Sequence, residues 1–175
     1  MWVVVFSSSA EIEVVQLQDS MNAVISSRWS DKTAGGCHLY DKEFESKPDC
    51  FTWLNNPRFV LKLDSRETVG VKVTLSRPEK AWKKSVGMNL VGCMIGFYVY
   101  PAGQNPTKDT LLNREGCKFV PWNEVAETVW LQGNEHSSNR DGYIIMPATY
   151  ESGKQGPFVL AVSTTVEFSL TQLDS

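Results

Sequence analysis

Apolar residues recur along this chain either at every second position or as continuous runs of strand length. Eight such runs predict strands: Ile12–Leu17, Phe59–Leu63, Gly70–Leu75, Cys93–Tyr100, Thr128–Gln132, Gly142–Met146, Phe158–Ser163 and Val166–Thr171. Val, Ile, Phe, Tyr and Thr dominate them, as half-buried pleated surfaces prefer. Turn-forming pairs separate the runs, among them Asn56-Pro57, Arg77-Pro78, Gly133-Asn134, Asp141-Gly142 and Ser152-Gly153. No window carries a long amphipathic helical stripe, and the best short candidate, Trp122–Ala126, is barely longer than a turn. Strands without intervening helices predict an all-β fold, an antiparallel β-sandwich of about eight strands.

Three segments depart from this pattern. Asp41–Asp49 (DKEFESKPD) is polar and reads as a surface loop or insertion. Arg77–Gly87 (RPEKAWKKSVG) is a basic loop between two strands. The first 27 residues differ in character from the rest and read as a separate piece. Their opening, MWVVVF, has the length of a strand, whereas a membrane span needs roughly 20 apolar residues.

With 175 residues, 42% hydrophobic and 11% aromatic, the chain can bury a sizeable core. A net charge of -3 excludes a strongly basic, nucleic-acid-binding balance but leaves room for a local patch. The four cysteines, Cys37, Cys50, Cys93 and Cys117, are too scattered for a disulfide scaffold and form no CxxC pair. Reduced thiols in a cytosolic protein are the expectation.

Candidate chemistry is sparse. Cys37 and His38 are adjacent, so in extended backbone they point to opposite faces and cannot form a nucleophile pair. The other histidine, His136, lies in a polar loop far along the chain. Ser137 to Gly142 echoes the first half of an EF-hand loop. However, Ser137 stands where the first Asp belongs and Ala148 where the bidentate Glu belongs, so Asp141-Gly142 reads as a turn. Gly35-Gly36 matches neither a P-loop nor a dinucleotide-binding spacing, which leaves a turn or a close approach of backbones. Trp53, Trp122 and Trp130 would suit a sugar-binding platform, but no polar cluster accompanies them, and packing is the simpler reading.

The basic loop is the strongest binding candidate. Lys72, Arg77, Lys80, Lys83 and Lys84 lie within thirteen residues, opposed by Glu79 alone, with Trp82 among them. Cations around an exposed tryptophan suit an anionic membrane surface. A solvated loop with Trp82 tucked against the sandwich edge is the competing reading, and Lys72 lies on a strand whose face could turn it away.

Three pieces in order, Trp29 with Thr33-Ala34-Gly35-Gly36-Cys37 and then Asn55 to Phe59 (NNPRF), Ile95 to Tyr100 (IGFYVY), and Gly142 to Thr164 (GYIIMPATYESGKQGPFVLAVST), resemble a known domain. It is the C2-like β-sandwich, often called domain III, that follows the protease core in calpains. The resemblance implies that residues 1–28 are the tail of a protease core or a linker and that 29–175 are the sandwich. It implies a cytosolic cysteine protease as parent, with its catalytic residues in the upstream core and none here. It also makes Trp29, Thr33, Gly35, Gly36, Cys37, Asn56, Pro57, Gly96 and Pro147 structural motif positions. Where such domains carry a dense acidic loop, this chain has only Asp64 and Glu67, with Arg66 between them. No metal or other cofactor is therefore expected in this chain, and calcium is left to the parent protein.

The sequence thus predicts a non-catalytic regulatory or docking domain, cytoplasmic and peripheral at membranes. Its expected partners are the protease core and other domains of the same protein, and anionic phospholipid through the basic loop; nucleic acid is not among them. A free-standing adhesion or carbohydrate-binding sandwich is the alternative.

Overall fold

The computed structural model describes residues 3–8, 11–16, 20–37, 52–65, 69–78, 92–104, 106, 119–121, 123–132 and 142–173. The strands are β1 (Val3–Ser8), β2 (Glu11–Gln16), β3 (Met21–Trp29), β4 (Phe59–Leu63), β5 (Val69–Ser76), β6 (Met94–Pro101), β7 (Val120–Pro121), β8 (Ala126–Gln132), β9 (Tyr143–Thr149), β10 (Gly156–Thr164) and β11 (Phe168–Gln172), with one 3-10 turn at Thr52–Asn55. Strands β1 and β2 pair with each other. The other nine form two antiparallel sheets, ordered β3-β10-β5-β8 and β11-β4-β9-β6-β7.

Alternation decides which side chains enter the space between the sheets. On β5, Val69, Val71, Val73 and Leu75 are buried while the residues between them are half-exposed, and Phe158, Leu160 and Val162 do the same on β10. From the opposite sheet come Phe59, Leu61, Ile95, Phe97, Val99, Tyr143 and Ile145. Burial of each such side chain contributes about 2 kcal/mol, so this layer is the main source of stability.

Strands β6 and β9 break the alternation. Every residue of β9 is buried, as is Ile95 to Tyr100 on β6. These strands lie inside their sheet, and its outer face is covered too. Tyr98, Tyr100, Ile144, Met146 and Ala148 join Cys37, Trp53 and Phe119 in a second apolar layer. The continuous apolar runs IGFYVY and YIIM are the sequence mark of a strand covered on both faces.

Phe59–Leu63 is a strand with the bounds expected from the sequence, and the other seven runs lie within a few residues of an observed strand. The short helical candidate Trp122–Ala126 is no helix over its described residues: the Glu124 N–H donates to the Pro121 carbonyl at 2.8 Å in a turn, and β8 begins at Ala126. Two strands were not anticipated, β3 and the short β7. The first runs across the expected division after residue 28. β3 pairs with β10 from Met21↔Thr164 to Trp29↔Gly156, so the sandwich takes in residues 21–28. Asn22, Ser26, Ser27 and Arg28 mask its alternation, because an edge strand half-exposes even its inward side chains. The segment Asp41–Asp49 lies outside the described residues.

Candidate functional site

The motif residues named from the sequence meet in one place, where the chain leaves β3 and crosses the outer face of the five-stranded sheet. Trp29 ends β3 fully buried, its ring packed at a tilt against Phe158 with 4.5 Å between centroids. Its indole N–H donates to the Pro147 carbonyl at 3.1 Å. Pro147 sits in β9 beyond its last pair with β4, at Ile145, so its missing N–H leaves no ladder bond unmade. Thr33 then closes a turn: its hydroxyl accepts the Ser30 N–H at 2.9 Å, and its own N–H donates to the Ser30 carbonyl.

The next residues form a strap between two other loops. The Gly153 N–H donates to the Ala34 carbonyl at 2.7 Å, and the Cys37 N–H to the Tyr150 carbonyl at 3.2 Å. A Cβ on Gly35 would stand 2.0 Å from the Thr52 carbonyl oxygen, and one on Gly36 2.6 Å from the Ser152 nitrogen. Gly36 also has φ +78°, in the left-handed region. Both glycines are therefore required by the approach of backbone on either side. Asn56, 2% exposed, locks the arrangement by donating from Nδ2 to the Gly36 and Trp53 carbonyls, each at 2.7 Å. Pro57 is buried next to it. Gly96 faces the same layer, where a Cβ would meet the Phe119 ring at 3.1 Å.

What the sequence did not reveal is the other half of this assembly. Tyr150 and Ser152 supply backbone to the strap, and Phe119 lies over Gly96 with its ring edge-on to Tyr98 and Tyr150. Backbone partners leave no side-chain signature. Trp53, considered for a sugar platform, is 2% exposed and packs on Tyr98, so it offers no face to a ligand.

The structure separates the basic candidates. Lys72 lies on β5, half-exposed on the outward face, with Nζ 2.8 Å from the Glu127 carboxylate of β8. It is thus ion-paired across the β5–β8 strand pair. Arg77 follows the end of β5, half-buried. Lys80, Trp82, Lys83 and Lys84 lie outside the described residues.

The family model for calpain large subunit, domain III, matches residues 25–163. This chain belongs to the calpain domain III family. Human Calpain-8 is 26% identical over 145 residues, 74% of this chain and 19% of that protein. Calpain-type cysteine protease ADL1 of Oryza sativa subsp. japonica is 24% identical over 165 residues, 86% of this chain and 7% of that protein. A Dictyostelium discoideum protein named serine/threonine-protein kinase 4 homolog B is 26% identical over 151 residues, 81% of this chain and 11% of that protein. The chain thus spans a fifth or less of the length of these relatives.

Within domain III the two described cysteines, Cys37 and Cys93, are both buried. Burial pushes the Cys93 thiol up, against a smaller opposing pull from hydrogen bonds with the Tyr150 and Glu151 backbone. That is the reverse of an activated nucleophile. Burial also raises Tyr100 and Tyr143, although Arg58 draws Tyr100 part of the way back. Among the described residues no three of His, Cys, Asp and Glu come together as metal ligands. Asp64 caps the end of β4 with its N–H on the Glu167 carbonyl, and Glu67 lies outside the described residues.

Proposed function

We propose that this domain III is a non-catalytic regulatory and docking module of a longer, intracellular calpain-type cysteine protease. In this reading it holds the protease core and neighbouring domains in place. Its basic segment, Arg77, Lys80, Trp82, Lys83 and Lys84, engages an acidic surface, either anionic phospholipid or a neighbouring domain. The observation that carries the reading is the family match over residues 25–163 in a chain that covers a fifth or less of its relatives. A match inside a protein named as a kinase adds support, since a module found with different catalytic names does its work by attachment rather than by chemistry. The elevated Cys93 thiol and the wedged, buried Cys37 agree with a chain that leaves catalysis elsewhere.

Co-sedimentation with phosphatidylserine vesicles, with and without calcium and at two salt concentrations, tests the docking role. Binding should weaken with salt and be indifferent to calcium. Each cation near an anionic surface contributes roughly 1 kcal/mol, so Lys83→Glu with Lys84→Glu should weaken binding by about tenfold or more. Lys72→Gln should weaken binding far less than the double reversal, since it changes one charge rather than four and that charge lies beside Glu127. Undiminished binding of the double reversal at low salt would overturn the reading.

A further inference from the structure

Strands β3 and β8 end one sheet of the sandwich, and β11 and β7 end the other. These edges are not alike. β7 is two residues long and contains Pro121, β11 has five residues, and β8 carries Glu127 in its ion pair with Lys72. Short length, proline and charge keep an edge from pairing with other chains. β3 has little of this protection. Its nine residues, MNAVISSRW, pair with β10 in unbroken register with no bulge. They include no proline and a single charge, Arg28, near one end.

Apolar exposure collects on the same strand. Of the four large hydrophobic side chains exposed among the described residues, Met21 at 43% and Val24 at 65% lie on β3, and Val24 is the most exposed of the four. On the outer face Val24 heads a row that continues through Ala161 of β10 and Thr74 of β5. The next row runs through Ser26, Val159 and Ser76. Small side chains of this kind make a flat shelf, whereas edges that take up a foreign peptide read its alternate side chains in pockets.

We propose that the β3 edge pairs with the β3 edge of a second copy of this chain, antiparallel about a two-fold axis at Val24, so that two four-stranded sheets become one of eight. Nothing in this pairing depends on the basic segment, so it goes beyond the docking reading and stands apart from it. The register follows from three constraints. Side chains alternate between faces, so outward residues must meet outward residues. Centring the axis on Val24 covers the most exposed apolar side chain with its own counterpart. Asn22 then faces Ser26 of the other copy, and Met21 faces Ser27. Finally, the two Arg28 side chains fall eight positions apart, about 27 Å along the strands and well beyond the screening length of about 8 Å. Parallel pairing in register would set them side by side. A two-fold contact also uses up both edges, so assembly stops at the dimer.

Sedimentation of the full chain over a concentration series is the test, with urea unfolding to confirm that each variant is folded. The parent chain should form a reversible dimer. Val24→Lys and Val24→Glu each place like charges opposite one another at the axis and should weaken dimerisation by about tenfold or more. Mixed in equal amounts, these two variants should dimerise again, because opposite charges then face each other. Under oxidising conditions Val24→Cys should cross-link to its counterpart. Ser26→Cys should cross-link no more than the parent chain, since its copies lie four positions apart, about 14 Å and beyond the reach of a disulfide. A chain that is monomeric at every concentration, or a dimer indifferent to both charged substitutions, overturns the proposal. A dimer lost in both variants and not regained on mixing, or cross-linked through Ser26→Cys rather than Val24→Cys, overturns the two-fold axis at Val24.

Discussion

At Gly35 and Gly36 the cost of any side chain can be read from two distances and one torsion. A methyl on Gly35 would overlap the Thr52 carbonyl, and one on Gly36 the Ser152 amide, with left-handed strain added. Either Gly→Ala substitution should lower stability by about 3 kcal/mol, seen as an earlier urea midpoint at unchanged slope. The raised Cys93, Tyr100 and Tyr143 make a pH prediction. Each is harder to ionise folded than unfolded, so its contribution to stability is intact below the unfolded range. It is lost as pH rises from there toward the folded value. Unfolding free energy should therefore fall above pH of about 8.5 for the thiol and about 10 for the phenols. Tyr143→Phe should make the upper part of that decline shallower. The TAGGC motif was legible in the sequence, because a glycine pair carries its own geometric limits. The identity of what presses on the glycines was not, since Thr52 and Ser152 act through backbone atoms.

Among the elements, legibility followed burial. Strands with one buried face, such as β5 and β10, printed a period of two, and β6 and β9, buried on both, printed unbroken apolar runs. β3 printed neither, as it pairs on one side only and exposes Val24 and Arg28 outward. Its contribution can be tested by truncation. A chain beginning at residue 20 should keep a cooperative unfolding transition. One beginning at residue 29 loses eight of the nine pairs with β10 and uncovers Phe158 and Leu160, so it should aggregate or melt without a sharp midpoint. Cooperative melting of the shorter chain would show that β10 tolerates becoming an edge. Lys72 makes a similar point: its ion pair with Glu127 across the strand pair carries no signal in sequence proximity.

On the scale of the whole molecule, the sandwich keeps its two apolar layers on either face of one sheet, and the strap closes the outer one. The bonds that close it are long in sequence: Trp29 reaches Pro147 across 118 positions, and Ala34 holds Gly153. During synthesis on a ribosome, the segment that ends β3 emerges early and waits for most of the domain before its partners exist. Contacts of such separation form slowly, because loop closure must come before any gain from packing. The strap is therefore expected to dock last, and until it does the outer aromatic layer of Tyr98, Tyr100 and Trp53 stays open to chaperones. A nascent chain stalled before residue 147 should remain chaperone-bound and protease-sensitive, and release past residue 164 should protect it in one step.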